Sequence, residues 1–216
     1  MYRLCFLLSI IAFPSFGQEK ANAYQVKHIP YDSLKTVLEE MYDTDQGIRR
    51  QFVEAMQIGS TETGNLAKKM NEIDSINQIQ VKKILENYGW LGKSLVGHKA
   101  ARALFYVVQH AELDIMVQYY ESLKAQADIG EANPLNAAMM LDRILMYQNK
   151  KQVYGTQASN LVRNERVSVI WPVEDPENVN KRRKSVGFKS TLEESAASMN
   201  AIYDPKEELP KENVWE

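Results

Sequence analysis

"HKAARALFYVVQHA", residues 98–111, decides the fold. From 100 to 108 it is apolar almost all round. A helix without a polar face has to be buried on every side, so other elements must surround it. The stretches around it supply them. Upstream, "NLAKKMNEIDSINQIQVKKILENYG" (65–89) puts Leu66, Met70, Ile73, Asn77, Val81, Ile84 and Tyr88 on one helical face and ends on Gly89, a natural C-cap. Before it, "YDSLKTVLEEMYDTDQ" (31–46) opens on Asp32 or Ser33 as a cap and carries Leu34, Val37, Leu38 and Met41 at helical spacing. "QGIRRQFVEAMQ" (46–57) reads as a second helical piece with Ile48, Phe52 and Met56. "IGSTETG" and "WLGKSLVG" read as loops, the second with an aromatic, Trp90, that a solvated linker does not need.

Downstream, "LDIMVQYYESLKAQADIG" (113–130) and "NPLNAAMMLDRILMYQNK" (133–150) are two more helices, the second capped by Asn133 with Pro134 in its first turn. Then the pattern changes. "KQVYGTQ" (151–157) and "RVSVIWPVED" (166–175) are short and rich in valine, aromatic and β-branched residues. They predict a small antiparallel hairpin within 151–173, joined by a polar loop. "DPENVNKRRKSVG" (175–187) predicts a helix capped by Asp175, and "STLEESAASMNAIY" (190–203) a last short one. The expected fold is mainly α: one helical domain over 31–202 with a small β-hairpin in its C-terminal third, then a charged, Pro-containing tail, 203–216, expected to be disordered.

The first residues, "MYRLCFLLSIIAFPSFGQEK", follow the order of a secretory signal: Arg3, an apolar run over 4–13, Pro14, then Ser15 and Gly17 at a cleavage site. The expectation is a signal peptide over 1–17, a leader over 18–30, and an exported protein, periplasmic or extracellular, in a bacterium. The run is too short to span a bilayer, and no later stretch is long enough for a transmembrane segment after signal cleavage. Cys5, the only cysteine, leaves with the signal, which excludes disulfides, thiol catalysis and cysteine-ligated zinc in the mature chain. Removing Arg3 from 26 basic residues set against 28 acidic ones leaves a net charge of −3, which does not suit nucleic acid.

Four groups of residues stand out as candidates for chemistry. His110 ends the buried helix, where the helix C-terminus favours its charged form and burial its neutral form; it suits an acid/base role or a helix cap. Asp142, beside Arg143, lies four residues from both Ala138 and Met146, inside the apolar stripe of its helix. A core-facing carboxylate needs a partner: His110, an arginine, or backbone amides near "YGTQ". Tyr154, Thr156 and Gln157 offer hydroxyls and an amide around Gly155, and read otherwise as an ordinary hairpin. Arg182 and Arg183 can clamp an anion, neutralise Asp142, or form a solvated basic helix end. No HExxH, metal-ligand spacing, phosphate loop or nucleophile elbow occurs, and neither a metal nor a cofactor is expected.

"MYDTDQGIRR", "IDSINQIQVKKILENYGW", "VGHKAARALFYVVQHAELD", "LDRILMYQNKKQVYGTQ" and "PVEDPENVNKRRKSVGF", in this order over about residues 34–190, resemble an uncharacterised bacterial family, a domain of unknown function often found behind a signal peptide. The resemblance implies that its polar pieces, QHA, DR and YGTQ, matter; they fall here on His110, Asp142, Arg143, Tyr154, Gly155, Thr156 and Gln157, with Asp45, Gln46 and Trp90 matching further pieces. Leu91 stands where that family usually has proline.

Three functions remain open. A polar pocket of His110, Asp142, Arg143 and Gln157, with Trp90, Tyr154, Thr156 and Arg183, binds a small or extended polar ligand or an envelope partner. Alternatively, a metal-independent hydrolase or transferase uses His110 as acid/base, Asp142 to orient it, and Arg143 or Arg183 to stabilise an anion. Or the same residues form a closed buried network in a structural or interaction module of the cell envelope.

Overall fold

The structure, a computed structural model, describes residues 31–163 and 167–215. The signal and leader read over 1–30 lie outside the described residues. Five helices come first: α1 (Tyr31–Gln57), α2 (Thr63–Tyr88), α3 (Lys93–Gln109), α4 (Leu113–Asp128) and α5 (Pro134–Tyr147). Two-residue strands follow, β1 (Ala158–Ser159) and β2 (Val169–Ile170), then a 3-10 turn (Pro176–Asn178), α6 (Val179–Ser185) and α7 (Leu192–Ser198). The fold is mainly helical with one small antiparallel sheet near the C-terminal end, as the pattern predicts.

The apolar stretch at 98–111 is the axis of the bundle. α3 packs against α1, α2, α4 and α5, and Ala103, Leu104, Phe105, Val107 and Val108 are all buried. Burying each large side chain of this kind contributes roughly 2 kcal/mol, so the stretch is the main source of cohesion. Its beginning differs from expectation. The segment read as a loop forms a helical turn from Lys93, broken at Gly97 (φ 83°, ψ 164°) before the helix resumes at His98. A side chain at that φ would be strained, which is why glycine marks the break.

α1 is one continuous helix of 27 residues where the sequence suggests two. Asp45 sits in the apolar stripe at the presumed junction but does not end the helix, because Arg49, one turn on, and Gln46 bond its carboxylate. α5 starts as predicted, with the Asn133 side chain accepting from the Leu135 amide and Pro134 in the first turn.

The sheet lies within 151–173 as predicted, but it is smaller and its first strand falls just after "KQVYGTQ". Ala158 pairs with Ile170 and Ser159 with Val169. "KQVYGTQ" is not a strand; within it only Gln152 makes a bridge, to Val173. The amides of Val153, Tyr154 and Thr156 are taken by the Asp142 carboxylate and cannot join a ladder. Asp175 is also not the cap it was read as: it adopts a left-handed conformation (φ 41°) and no cap bond, and its carboxylate holds Asn178 and Arg182 instead. α7, by contrast, carries a complete capping box between Thr191 and Glu194.

A second, smaller core of Ile170, Val173, Val179, Leu192 and Ala196 lies under this C-terminal part. Ile202, at the end of the predicted domain, bridges to Val169; within 203–216, where the sequence predicts a disordered tail, Glu207 pairs with Arg163 and the Trp215 ring lies 4.8 Å from Tyr147. Among the described residues, no helix is long and apolar enough to cross a membrane.

Candidate functional site

Asp142 is fully buried on α5. Its Oδ1 accepts the amides of Val153 (2.8 Å) and Tyr154 (3.0 Å), and its Oδ2 accepts the amide and the hydroxyl of Thr156, both at 2.9 Å. Of the partners open to it, the backbone near "YGTQ" is the one it has. Burial pushes its pKa above the ordinary carboxylate value, opposed by the N–H groups of Tyr154, Thr156 and Val153. Gly155 turns the loop around the carboxylate at φ 70°, and a Cβ there would stand 2.6 Å from Leu192 Cδ1. Glycine is required by conformation and by space together.

Arg143, the next residue, points elsewhere, as adjacent helical positions must. Its Nε donates to Gln157 Oε1 (3.0 Å) and its Nη1 to the Gln109 carbonyl (2.9 Å). Among the described residues, no carboxylate lies within ion-pair distance of it. Burial pushes its pKa down. Gln157 joins this arginine to the Asp142 knot, since its Nε2 donates to Thr156 Oγ1 (2.9 Å). Gln152, fully buried, braces the loop by donating to the Gln157 carbonyl and accepting from the Gln157 amide.

His110 caps the end of α3, and its carbonyl accepts from Gln78 Nε2 (3.2 Å). Its Nδ1 is buried without a hydrogen-bond partner. Burial, then the charges of Arg49 and Arg143, push its pKa down to about 3, while the Tyr106 carbonyl pulls the other way. The ring is therefore a neutral imidazole beside two guanidinium groups. It is not bonded to Asp142, whose acceptors are filled by residues 153–156. The His–Asp orienting pair expected from the sequence does not form.

Arg49 belongs to this neighbourhood. It pairs with Asp45 (3.1 Å) and Asp74 (2.6 Å), and Gln46 holds the other Asp45 oxygen (2.7 Å). Burial pushes the Asp74 pKa up, Arg49 lowers it, and Asp45 raises it again. Asn77 Nδ2, one helical turn along α2, and Gln109 Oε1 are also buried without partners. A polar seam thus runs from α1 and α2, past the end of α3, to Arg143 on α5 and Gln157 in the loop. Three of its groups have buried atoms with unmet hydrogen-bonding capacity, which native interiors rarely leave.

The remaining candidates lie outside the seam. Trp90 is buried in the main core beside Leu91. Arg183 is 2% exposed, donates to the Tyr154 carbonyl (2.8 Å), and stacks 4.5 Å from the Phe188 ring centroid. Arg182 donates to the Val153 carbonyl (2.9 Å). Both arginines clasp the back of the loop and neither pairs with Asp142. Tyr154 is half-buried, its ring 6.5 Å from Phe188. Thr156 and Arg183 do share the wall of a cavity of about 200 Å³ with Ser190 and Ser195.

Arg49, Asp74 and Asn77 are the seam residues that sequence reasoning missed, while Gln109 lay inside the QHA piece without a role of its own. Asp45 carried a usable signal: it lies four residues after Met41 and three before Ile48, a carboxylate inside an apolar stripe, as Asp142 is. The chemistry open to the seam is a neutral proton acceptor next to fixed cations. Among the described residues, no group of three or more His, Cys, Asp or Glu side chains is arranged to hold a metal ion.

No curated protein and no solved structure matches the chain. A family model described as a family of unknown function, DUF6624, matches residues 32–207, and the chain belongs to that family.

Proposed function

We propose that this protein binds the anionic group of a small polar ligand along the seam of Arg49, His110 and Arg143. One observation carries the reading: Arg143 is a largely buried cation held only by neutral acceptors, Gln157 Oε1 and the Gln109 carbonyl. Withdrawing a guanidinium from water without a counter-charge costs several kcal/mol, by order of magnitude. A ligand anion offsets that cost, and Asn77 Nδ2, a buried donor without a partner, then gains an acceptor. Asp142 is not a ligand group in this reading. It positions the loop so that Gln157 meets Arg143.

The N-terminal order of charge, apolar run and small residues supports export, so the ligand is one met in the periplasm or outside the cell. A second reading, metal-independent hydrolysis or transfer with His110 as base, is favoured by one feature, the imidazole kept neutral by burial and by the charges of Arg49 and Arg143. The envelope-module reading draws on the closed Asp142 knot, but the unmet atoms of the seam do not belong to a closed network.

The test is a thermal-shift panel of small carboxylates, phosphate esters and uncharged sugars on the wild type and on Arg143→Gln. Anionic compounds raise the Tm of the wild type by more than that of the variant. Equal shifts in both proteins, or a response confined to uncharged sugars, would overturn the proposal.

A further inference from the structure

A cavity of about 420 Å³ opens where the start of α3 meets the turn between α4 and α5, and its wall contains none of Arg49, His110 and Arg143. We propose that it is a second binding site, for a small organic anion: a carboxylate or phosphate carried on an apolar body.

The wall carries three basic side chains, Lys93, His98 and Arg102. His98 and Arg102 are four residues apart, so they share a helical face. Arg102 is pre-positioned. Its Nη2 donates to Tyr106 Oη (2.9 Å), and its guanidinium lies 5.3 Å from the Tyr42 ring centroid and 5.5 Å from that of Tyr106. A cation held over two aromatic faces loses little freedom when it captures an anion.

The one carboxylate in the wall, Glu131, is already committed. Its Oε1 accepts the Ser94 hydroxyl (2.6 Å) and its Oε2 the Ser94 amide (2.9 Å). Those bonds hold its pKa below the ordinary glutamate value. Gly92 makes room for it, since a Cβ there would stand 2.5 Å from Glu131 Oε2. Glu131 keeps its negative charge, and Lys93 helps to hold its pKa down, whereas Arg102 has no carboxylate within ion-pair distance among the described residues and is the cation left to meet an anion. Ala101, Leu123 and Ala132 give the same cavity an apolar side. Its volume falls in the range of roughly 300–1,000 Å³ typical of small-molecule sites and far exceeds what a bare phosphate fills. An anionic head with an apolar body matches both halves of the wall.

The experiment is calorimetric titration of the purified chain with phenyl phosphate, benzoate, inorganic phosphate and benzyl alcohol, on the wild type, Arg102→Gln, Lys93→Gln and Arg143→Gln. Phenyl phosphate or benzoate binds the wild type with a Kd near or below about 1 mM, and inorganic phosphate and benzyl alcohol bind at least about tenfold more weakly. Which of the two aromatic anions wins distinguishes a phosphate ligand from a carboxylate. Arg102→Gln weakens the better one by about tenfold or more, and Lys93→Gln by less. Both Arg102 and Lys93 are exposed, so neither variant threatens the fold. The proposal is overturned if neither aromatic anion binds, if benzyl alcohol or inorganic phosphate binds equally well, or if Arg143→Gln rather than Arg102→Gln removes the binding.

Discussion

Thr156 gives both its amide and its hydroxyl to a single oxygen of Asp142, each at 2.9 Å, across fourteen residues of chain. Side chain and backbone of one residue thus hold one buried charge, and the loop from Val153 to Thr156 takes its shape from that charge rather than from a strand partner.

Asparagine at 142 keeps the outline of aspartate but replaces an acceptor oxygen with an NH2 group that faces amide donors. Asp142→Asn is therefore expected to lose about 3 kcal/mol of stability, the order seen when one side of a buried charge arrangement is removed. Urea unfolding followed by circular dichroism measures it. A variant as stable as the wild type would show that the carboxylate is held at a cost, for a function other than shaping the loop.

Gly155→Ala meets two penalties, a φ of 70° and a contact of 2.6 Å with Leu192 Cδ1. The expected loss is about 2 kcal/mol. Leu192→Ala alone leaves a cavity in the smaller core and costs about 3 kcal/mol. The double variant should lose less than the sum, because the second change relieves the contact made by the first. Strict additivity in a double-mutant cycle would mean that backbone strain alone explains the glycine.

His110 has a folded pKa of about 3 against an ordinary value of 6.5. The unfolded chain therefore takes up this proton first as the pH falls. The neutral ring costs nothing above pH 6.5, and stability drains away below it until about pH 3, at up to about 1.4 kcal/mol per pH unit. Between pH 7 and pH 5 the wild type is expected to lose about 1–2 kcal/mol more than His110→Gln. Denaturant midpoints at the two pH values decide it, and equal losses would place His110 in solvent.

Arg49→Met leaves Asp45, 1% exposed, without its cation. The expected cost is about 3 kcal/mol, and Asp45→Asn in the same background should recover part of it. If the second change makes matters worse, Gln46 and the α1 helix, rather than Arg49, hold that carboxylate.

The helices were legible because their apolar periodicity is strong, and the 98–111 stretch named its own burial. The signal at Asp142 was equally physical: a carboxylate amid Ala138 and Met146 had to have partners, and it has them. The hairpin's first strand was misplaced because composition sees valine and tyrosine but not the competing acceptor that takes their amides. The two-piece reading of α1 failed for a related reason, since a polar residue in a stripe looks like a junction until Arg49 answers it. The seam joins α1, α2, α3 and α5, and such convergence is a property of packing that no single stretch displays. Arg183 shows the reverse case: its type and place in the chain suit an anion clamp, yet it spends its donors on the loop backbone and on serines.

The bonds around Asp142 close loops of 11 to 14 residues, whereas Arg183 reaches the Tyr154 carbonyl across 29. Shorter loops close at a lower entropic cost. The carboxylate knot is thus placed to assemble early, as a local outgrowth of α5, with α6 locking onto it afterwards. In kinetic terms Asp142→Asn should chiefly slow refolding, while Arg183→Met should chiefly hasten unfolding. The order in which the chain becomes itself is written into the separation of these two charges from one loop.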